Sequence, residues 1–146
     1  MIAIDTNILV YAHREDATWH QAADRCLASA AESGAPWAIP WPCINEFLAI
    51  VTHPRIYDPP TPPDDALEQV ACWLEVPTVV LLAEATGYWA VLRETLTASR
   101  VAGPRVHDAR IAALCGQHGV SELWTADRGF GRFAGLRFKN PLVAAG

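Results

Sequence analysis

Four carboxylates stand where the apolar patterning of the chain sets element ends. Asp5 lies between the apolar runs Ile2-Ala3-Ile4 and Ile8-Leu9-Val10. Glu46 lies in "INEFLAIV", Asp108 in "HDARIAALCGQHGV" and Asp127 in "LWTADRGFGRF". A bare carboxylate withdrawn from water costs several kcal/mol unless something pairs with it. Asp5 is therefore either a cap at an element boundary or part of a site. Carboxylates brought close together repel, and a protein holds them ionised with a cation or lets one keep a proton. Magnesium and manganese prefer oxygen ligands, and Mg2+ often takes one or two carboxylates and keeps several waters. Such an ion polarises a phosphoryl oxygen and acidifies a bound water, which supports phosphodiester hydrolysis with no histidine or cysteine.

The elements that must position these acids follow from the hydrophobic pattern. Ile2 to Ile4 is a short buried strand and Ile8 to Ala12 opens a helix, which leaves Asp5-Thr6-Asn7 in the turn between them. Thr18-x-x-Gln21 predicts a capping box for a helix running to about Ser33, with Gly34 closing it. Trp37 to Ile39 is a second strand, followed by a helix with Pro42 in its first turn and Ile44, Phe47, Leu48 and Val51 on one face. The run from Pro59 to Pro63 is too proline-dense for helix or inner strand and predicts a surface loop. Asp64 or Asp65 then caps a helix, Thr78 to Leu82 is a strand, and Tyr88, Val91, Leu92 and Leu96 mark a further helix. Val106 to Gln117 is helical, Val120 to Trp124 a strand, and Leu136 to Phe138 the last strand.

Strands alternating with helices predict a single α/β domain over 1–146, with a parallel sheet covered by helices. In such open sheets ligands gather outside the carboxyl ends of the strands, where Asp5 and Asp127 fall. Glu46 and Asp108 lie in the first turns of helices, where the dipole also favours a negative charge.

At 146 residues the chain suffices for one core, and its apolar residues never form the roughly 18 uninterrupted positions that a membrane span requires. MIAID lacks the basic flank and apolar stretch of a secretory signal, which places the expected location in the cytoplasm. Cys26, Cys43, Cys72 and Cys115 are scattered with no C-x-x-C pair, so buried free thiols are expected. The net charge of -5 argues against a polyanionic partner, but it is unevenly spread. Residues 1–92 hold three arginines against twelve acids, whereas residues 93–146 hold seven arginines and Lys139 against four. Arginine is the side chain best shaped for phosphate. Arg105, Arg110, Arg128 and Arg132 are the candidate phosphate ligands, and Arg128 and Arg132 flank the Asp127 motif. The five histidines show no metal-ligand spacing, and His107 is expected at the surface. Of the six tryptophans, Trp73 and Trp89 are expected in the core, whereas Trp19, Trp37, Trp41 and Trp124 suit an interface as well.

The opening "IDTNILVYA", the glutamate of "INEFLAIV", "HDARIAALCGQHGV" and "LWTADRGFGRF" together resemble the PIN-domain ribonucleases, specifically the VapC-type toxins of bacterial toxin–antitoxin systems. The likeness runs almost the whole length, to the "FKNPL" ending, and the order and spacing of the four acids with T-x-D in the last motif carry it. The resemblance implies a three-layer α/β/α sandwich around a parallel sheet, and RNA cleavage dependent on Mg2+ or Mn2+. It makes Asp5 and Asp108 the main metal ligands, with Glu46 and Asp127 completing the pocket directly or through water. Thr6, Asn7 and Thr125 would orient the carboxylates. It further implies a homodimer and a small antitoxin partner. The long proline-rich loop at 58–63 is less typical of the family.

Two rival readings remain at this level. Haloacid-dehalogenase-like phosphatases also open on a strand and an aspartate, but they need a second acid two residues later, where this chain has Asn7. A non-catalytic PIN-like binding module would use the same groove only to hold a partner.

Overall fold

In the computed structural model of the protein, which describes residues 1–143, a five-stranded sheet runs in the order β3-β2-β1-β4-β5 with every neighbouring pair parallel. The strands are β1 (Ile2–Ile4), β2 (Trp37–Pro40), β3 (Val79–Leu82), β4 (Glu122–Trp124) and β5 (Phe138–Lys139). The α-helices are α1 (Thr6–His13), α2 (His20–Glu32), α3 (Trp41–Val51), α4 (Pro63–Leu74), α5 (Tyr88–Ser99) and α6 (Val106–Gln117). Short 3-10 segments at Gly103–Arg105 and Arg128–Arg132 precede α6 and follow β4.

The central strand explains the topology. Ile2 of β1 pairs with Trp37 on one side and with Glu122 on the other, so β1 is covered along both edges. A strand enclosed in this way is apolar throughout, as Ile2-Ala3-Ile4 is. From β1 the chain moves outward to β2 and β3, then returns past β1 to β4. Parallel crossovers are right-handed, so this reversal puts α1 to α4 on one face and α5 and α6 on the other. The contacts agree: α1 packs on α2 and α3, α3 on α4, and α5 on α6. The result is the expected three-layer α/β/α sandwich, and the strand order reverses between β1 and β4. Ala3, Ile4, Ile39, Leu123, Phe47, Ile111 and Leu114 form the centre of its core, each no more than 1% exposed.

Several local expectations are corrected. Thr6 and Asn7 belong to the first turn of α1, because Asp5 itself caps that helix by accepting the Thr6 N–H at 2.8 Å. The Thr18/Gln21 capping box does not form; α2 starts at His20 without a side-chain cap, and the His20 ring is tied to the Tyr11 carbonyl at 2.9 Å instead. Gly34 does take the left-handed conformation that closes α2, at φ 75°. α4 begins at Pro63, so Asp64 and Asp65 lie in its first turn rather than before it. The last strand starts at Phe138, not Leu136.

Two burial expectations also fail, and one left open between core and interface resolves to the core. Trp89 is 66% exposed, because the stripe of α5 facing inward is Tyr88, Val91, Leu92 and Leu96 and Trp89 is off it. Trp37 is 2% exposed and donates its indole N–H to Thr78 Oγ1 at 3.1 Å, so it belongs to the core and not to an interface. All four cysteines are free thiols, but Cys72 is exposed, since the buried face of α4 consists of Ala66, Val70 and Trp73, and Cys26 is half-buried beside the Ala23, Leu27 and Ala30 face of α2. Among the described residues, no helix is long and apolar enough to cross a membrane.

Candidate active site

The four acids are strung along one unbroken chain of hydrogen bonds at the carboxyl ends of β1 and β4. Thr6, in the first turn of α1, donates its hydroxyl to Glu46 Oε2 at 2.7 Å, reaching across to α3. Its own N–H binds Asp5 Oδ1 at 2.8 Å. Thr125, the residue after β4, donates its hydroxyl to Asp5 Oδ2 at 2.7 Å. The same hydroxyl oxygen accepts the Asp127 N–H at 3.0 Å. Asp127 Oδ2 then accepts from Arg105 Nη1 at 3.2 Å, and that nitrogen also donates to Asp108 Oδ2 at 2.8 Å.

Asn7 braces the middle of this chain. Its amide nitrogen reaches Asp5 Oδ2 at 3.2 Å and Thr125 Oγ1 at 3.1 Å, while its oxygen accepts the Ala126 N–H at 3.0 Å. A further backbone bond, from the Asp5 N–H to the Trp124 carbonyl at 3.0 Å, locks the end of β1 to the end of β4. These contacts exist because β1 and β4 are neighbours in the sheet, although the chain separates them by six helices.

The electrostatics differ along the chain. Asp5 is 4% exposed, and burial raises its pKa to about 6. The hydrogen bonds from Thr125 and Thr6 pull the other way, the nearby Glu46 charge pushes it further up, and burial outweighs the rest. Among the described residues no cation pairs with Asp5 or Glu46. Asp108 and Asp127, by contrast, share the Arg105 guanidinium.

Two participants escaped the pattern reading. Cys43, in the first turn of α3, points its thiol at Asp5 Oδ1 at 3.6 Å, and burial pushes that thiol well above its ordinary pKa, so it acts as a donor. No local signal marks it. Gly129 donates its N–H to Asp127 Oδ1 at 2.7 Å, and the Arg105 guanidinium lies over its Cα where any side chain would project. Arg105 was expected to face phosphate, yet it faces carboxylates; its position three residues before Asp108, one helical turn away, is the signal that could have shown this. Arg110 does not join the chain: it forks onto Glu84 at 3.0 and 2.8 Å. Arg128 and Arg132 are exposed on the 3-10 segment after Asp127, and His107 is exposed as expected.

The donor set consists of oxygens, which suits a small hard cation. Among the described residues no three acidic, histidine or cysteine side chains close into a ready-made metal cage. Mg2+ does not demand one, because it keeps several of its waters and needs only one or two carboxylates. A buried carboxylate with a raised pKa and no cation partner is the local feature that such an ion would relieve.

Known proteins match this chain in both sequence and fold. A family profile for the PIN domain matches residues 2–136. Ribonuclease VapC43 of Mycobacterium tuberculosis is 33% identical over 142 residues, covering 97% of this chain and 96% of that protein. The fold resembles that of VapBC2 from Rickettsia felis, solved bound to a DNA fragment from their promoter, with a TM-score of 0.71 over 95% of this chain and 98% of that one at 18% identity. It also resembles M. tuberculosis VapC20, described as a sarcin-ricin loop cleaving toxin, with a TM-score of 0.70 over 93% and 96% of the two chains at 16% identity. Matched along almost its whole length in both sequence and fold, the chain belongs to the PIN-domain family and, within it, to the VapC ribonucleases.

Proposed function

We propose that this VapC-type ribonuclease toxin hydrolyses its RNA with Mg2+ or Mn2+ as cofactor, that a structured transfer or ribosomal RNA is the substrate, and that a small cognate antitoxin restrains it in the cytoplasm. The observation that carries the reading is the hydrogen-bonded chain from Glu46 through Asp5 and Asp127 to Asp108 at one end of the sheet. Asp5 and Asp108 are the carboxylates we assign to the ion, with Glu46 and Asp127 completing its surroundings through water. Bound there, the ion would supply neutralisation of the phosphate and acidification of the attacking water.

The residues of the chain itself do the positioning. Thr6, Asn7 and Thr125 fix the carboxylate oxygens of Asp5 and Glu46 in single orientations, so that little reorganisation is needed when negative charge gathers on the phosphate. Arg128 and Arg132, exposed beside Asp127, are placed to hold neighbouring phosphates and so to set the register of the RNA. Arg110 fits that role less well, since Glu84 already engages it. A homodimer is part of the same reading. The antitoxin partner is supported by the likeness to the VapBC2 assembly from R. felis.

The phosphatase reading finds no support here: Asn7, at the position that chemistry requires to be acidic, uses its amide to brace Asp5. A purely binding module gives no reason to keep Asp5 buried without a cation. The deciding experiment is incubation of total cellular RNA with purified protein in Mn2+ or Mg2+, beside EDTA and an identically prepared Asp5→Ala variant. Discrete fragments that vanish in both controls are expected, and mapping their ends identifies the RNA. Equal fragments from Asp5→Ala would refute the assignment.

A further inference from the structure

One guanidinium sits inside the acidic pocket, and its surroundings are built to receive it. Arg105 Nη1 lies 2.8 Å from Asp108 Oδ2 and 3.2 Å from Asp127 Oδ2, bridging two carboxylates that come from different elements. These are the ion pairs of both acids among the described residues. The chain makes room for the guanidinium at Gly129: a Cβ built there would stand 2.7 Å from Arg105 Cζ and closer still to Nη1. Gly129 has no positive φ to require glycine, so the close approach of Arg105 is the structural reason for a residue without a side chain. The Arg105 side chain is also 37% exposed, so its end can swing into solvent without disturbing the core.

We propose that Arg105 is the resident counter-cation of Asp108 and Asp127, and that a divalent ion reaches these carboxylates only by displacing its guanidinium. This rests on the metal-dependent reading above. An ion bound to either carboxylate sits about 2.1 Å from its oxygen. Two cations at that spacing on a shared pair of acids repel strongly, so the guanidinium and the ion compete. The competition acts only on this end of the site, because no arginine approaches Asp5 or Glu46 among the described residues. Arg105 thereby lowers the affinity for the ion while keeping the metal-free acids neutralised and in place.

The test is calorimetric titration of Mn2+ into the full chain, stripped beforehand with EDTA, for the parent, Arg105→Gln and Gly129→Ala. Arg105→Gln removes the charge and keeps a hydrogen-bonding end; Gly129→Ala keeps the charge but pushes the guanidinium off Asp127. Because the group it displaces is the tip of a flexible side chain, Gly129→Ala also serves should Arg105→Gln fail to fold. Competition predicts Mn2+ affinity roughly tenfold higher in Arg105→Gln and a smaller gain in Gly129→Ala. Unchanged or weaker affinity in the variants overturns the proposal, weaker affinity meaning that Arg105 prepares the carboxylates for the ion. If neither parent nor variants take up Mn2+, the metal-dependent reading itself falls and carries this inference with it.

Discussion

The two ends of the acidic chain handle the same problem in different ways. At the β1 end, Asp5 is buried, receives four hydrogen bonds, and has no cation within reach among the described residues. At the α6 end, Asp108 and Asp127 are part-exposed and share a guanidinium. Hydrogen bonds alone do not offset the loss of water around Asp5, since its pKa still rises to about 6. One end thus lacks a positive charge and the other carries a replaceable one. On the metal-dependent reading proposed above, a divalent ion would meet the first end by need and the second by exchange.

The sharpest way to break this comparison is to remove an acid from either end. Asp5→Ala and Asp108→Asn should each lower RNA cleavage by roughly a thousandfold, as expected when an ion contributing several kcal/mol to the transition state is lost. A gel-based cleavage rate on one defined RNA checks both, and an Asp108→Asn variant as fast as the parent would remove Asp108 from the mechanism.

A second test separates the ends by pH. With its folded pKa raised from 3.8 to about 6, Asp5 holds its proton more tightly in the folded state than in the unfolded one. Its contribution is therefore fully present below pH 3.8 and is lost as pH rises through 6, a fall of about 3 kcal/mol in the stability of the metal-free protein. Urea unfolding across this range in EDTA should show the decline. Saturating Mn2+ at neutral pH should restore most of it, and Asp5→Ala should lack it.

The joint between the ends is Thr125. Thr125→Val keeps the shape but leaves the Asp127 N–H without its acceptor and buried Asp5 Oδ2 without its hydroxyl donor, at a cost of about 1 to 3 kcal/mol. Thr125→Ser should recover most of that in the same unfolding assay. The smallest effect belongs to Arg110→Ala. Its two nitrogens meet one oxygen of Glu84, a pair that lies outside the chain and in solvent, with the two side chains 44% and 39% exposed. Loss of less than about 1 kcal/mol is expected, with Mn2+ affinity unchanged.

Much of this arrangement was legible from residue order. Apolar runs and helical spacing located the strands and helices, the helix Val106–Gln117 to the residue, because α6 buries one continuous face. The boundaries that went astray involve residues whose local preferences lost to tertiary partners. Thr18 and Gln21 form a plausible cap, but the His20 ring found the Tyr11 carbonyl instead. Trp89 has a core-type side chain on a helix whose inward stripe passes it by.

The sequence by itself determined the class of fold, the four acids and their positions near element ends, because periodicity and turn chemistry act over a few residues. It also determined the surplus of arginine in the last third. Only the tertiary structure decided that Thr6 would bridge Asp5 to Glu46, that Thr125 would carry the connection to Asp127, and that Arg105 would turn toward acids rather than solvent. The Thr125 link to Asp5 needs β1 and β4 side by side, the Thr6–Glu46 bond needs α1 packed on α3, and the Arg105–Asp127 pair needs the start of α6 beside the end of β4. The Arg105–Asp127 pair depends on that meeting and no local pattern encodes it, whereas the Arg105–Asp108 pair, three residues apart, is the one local part of the network.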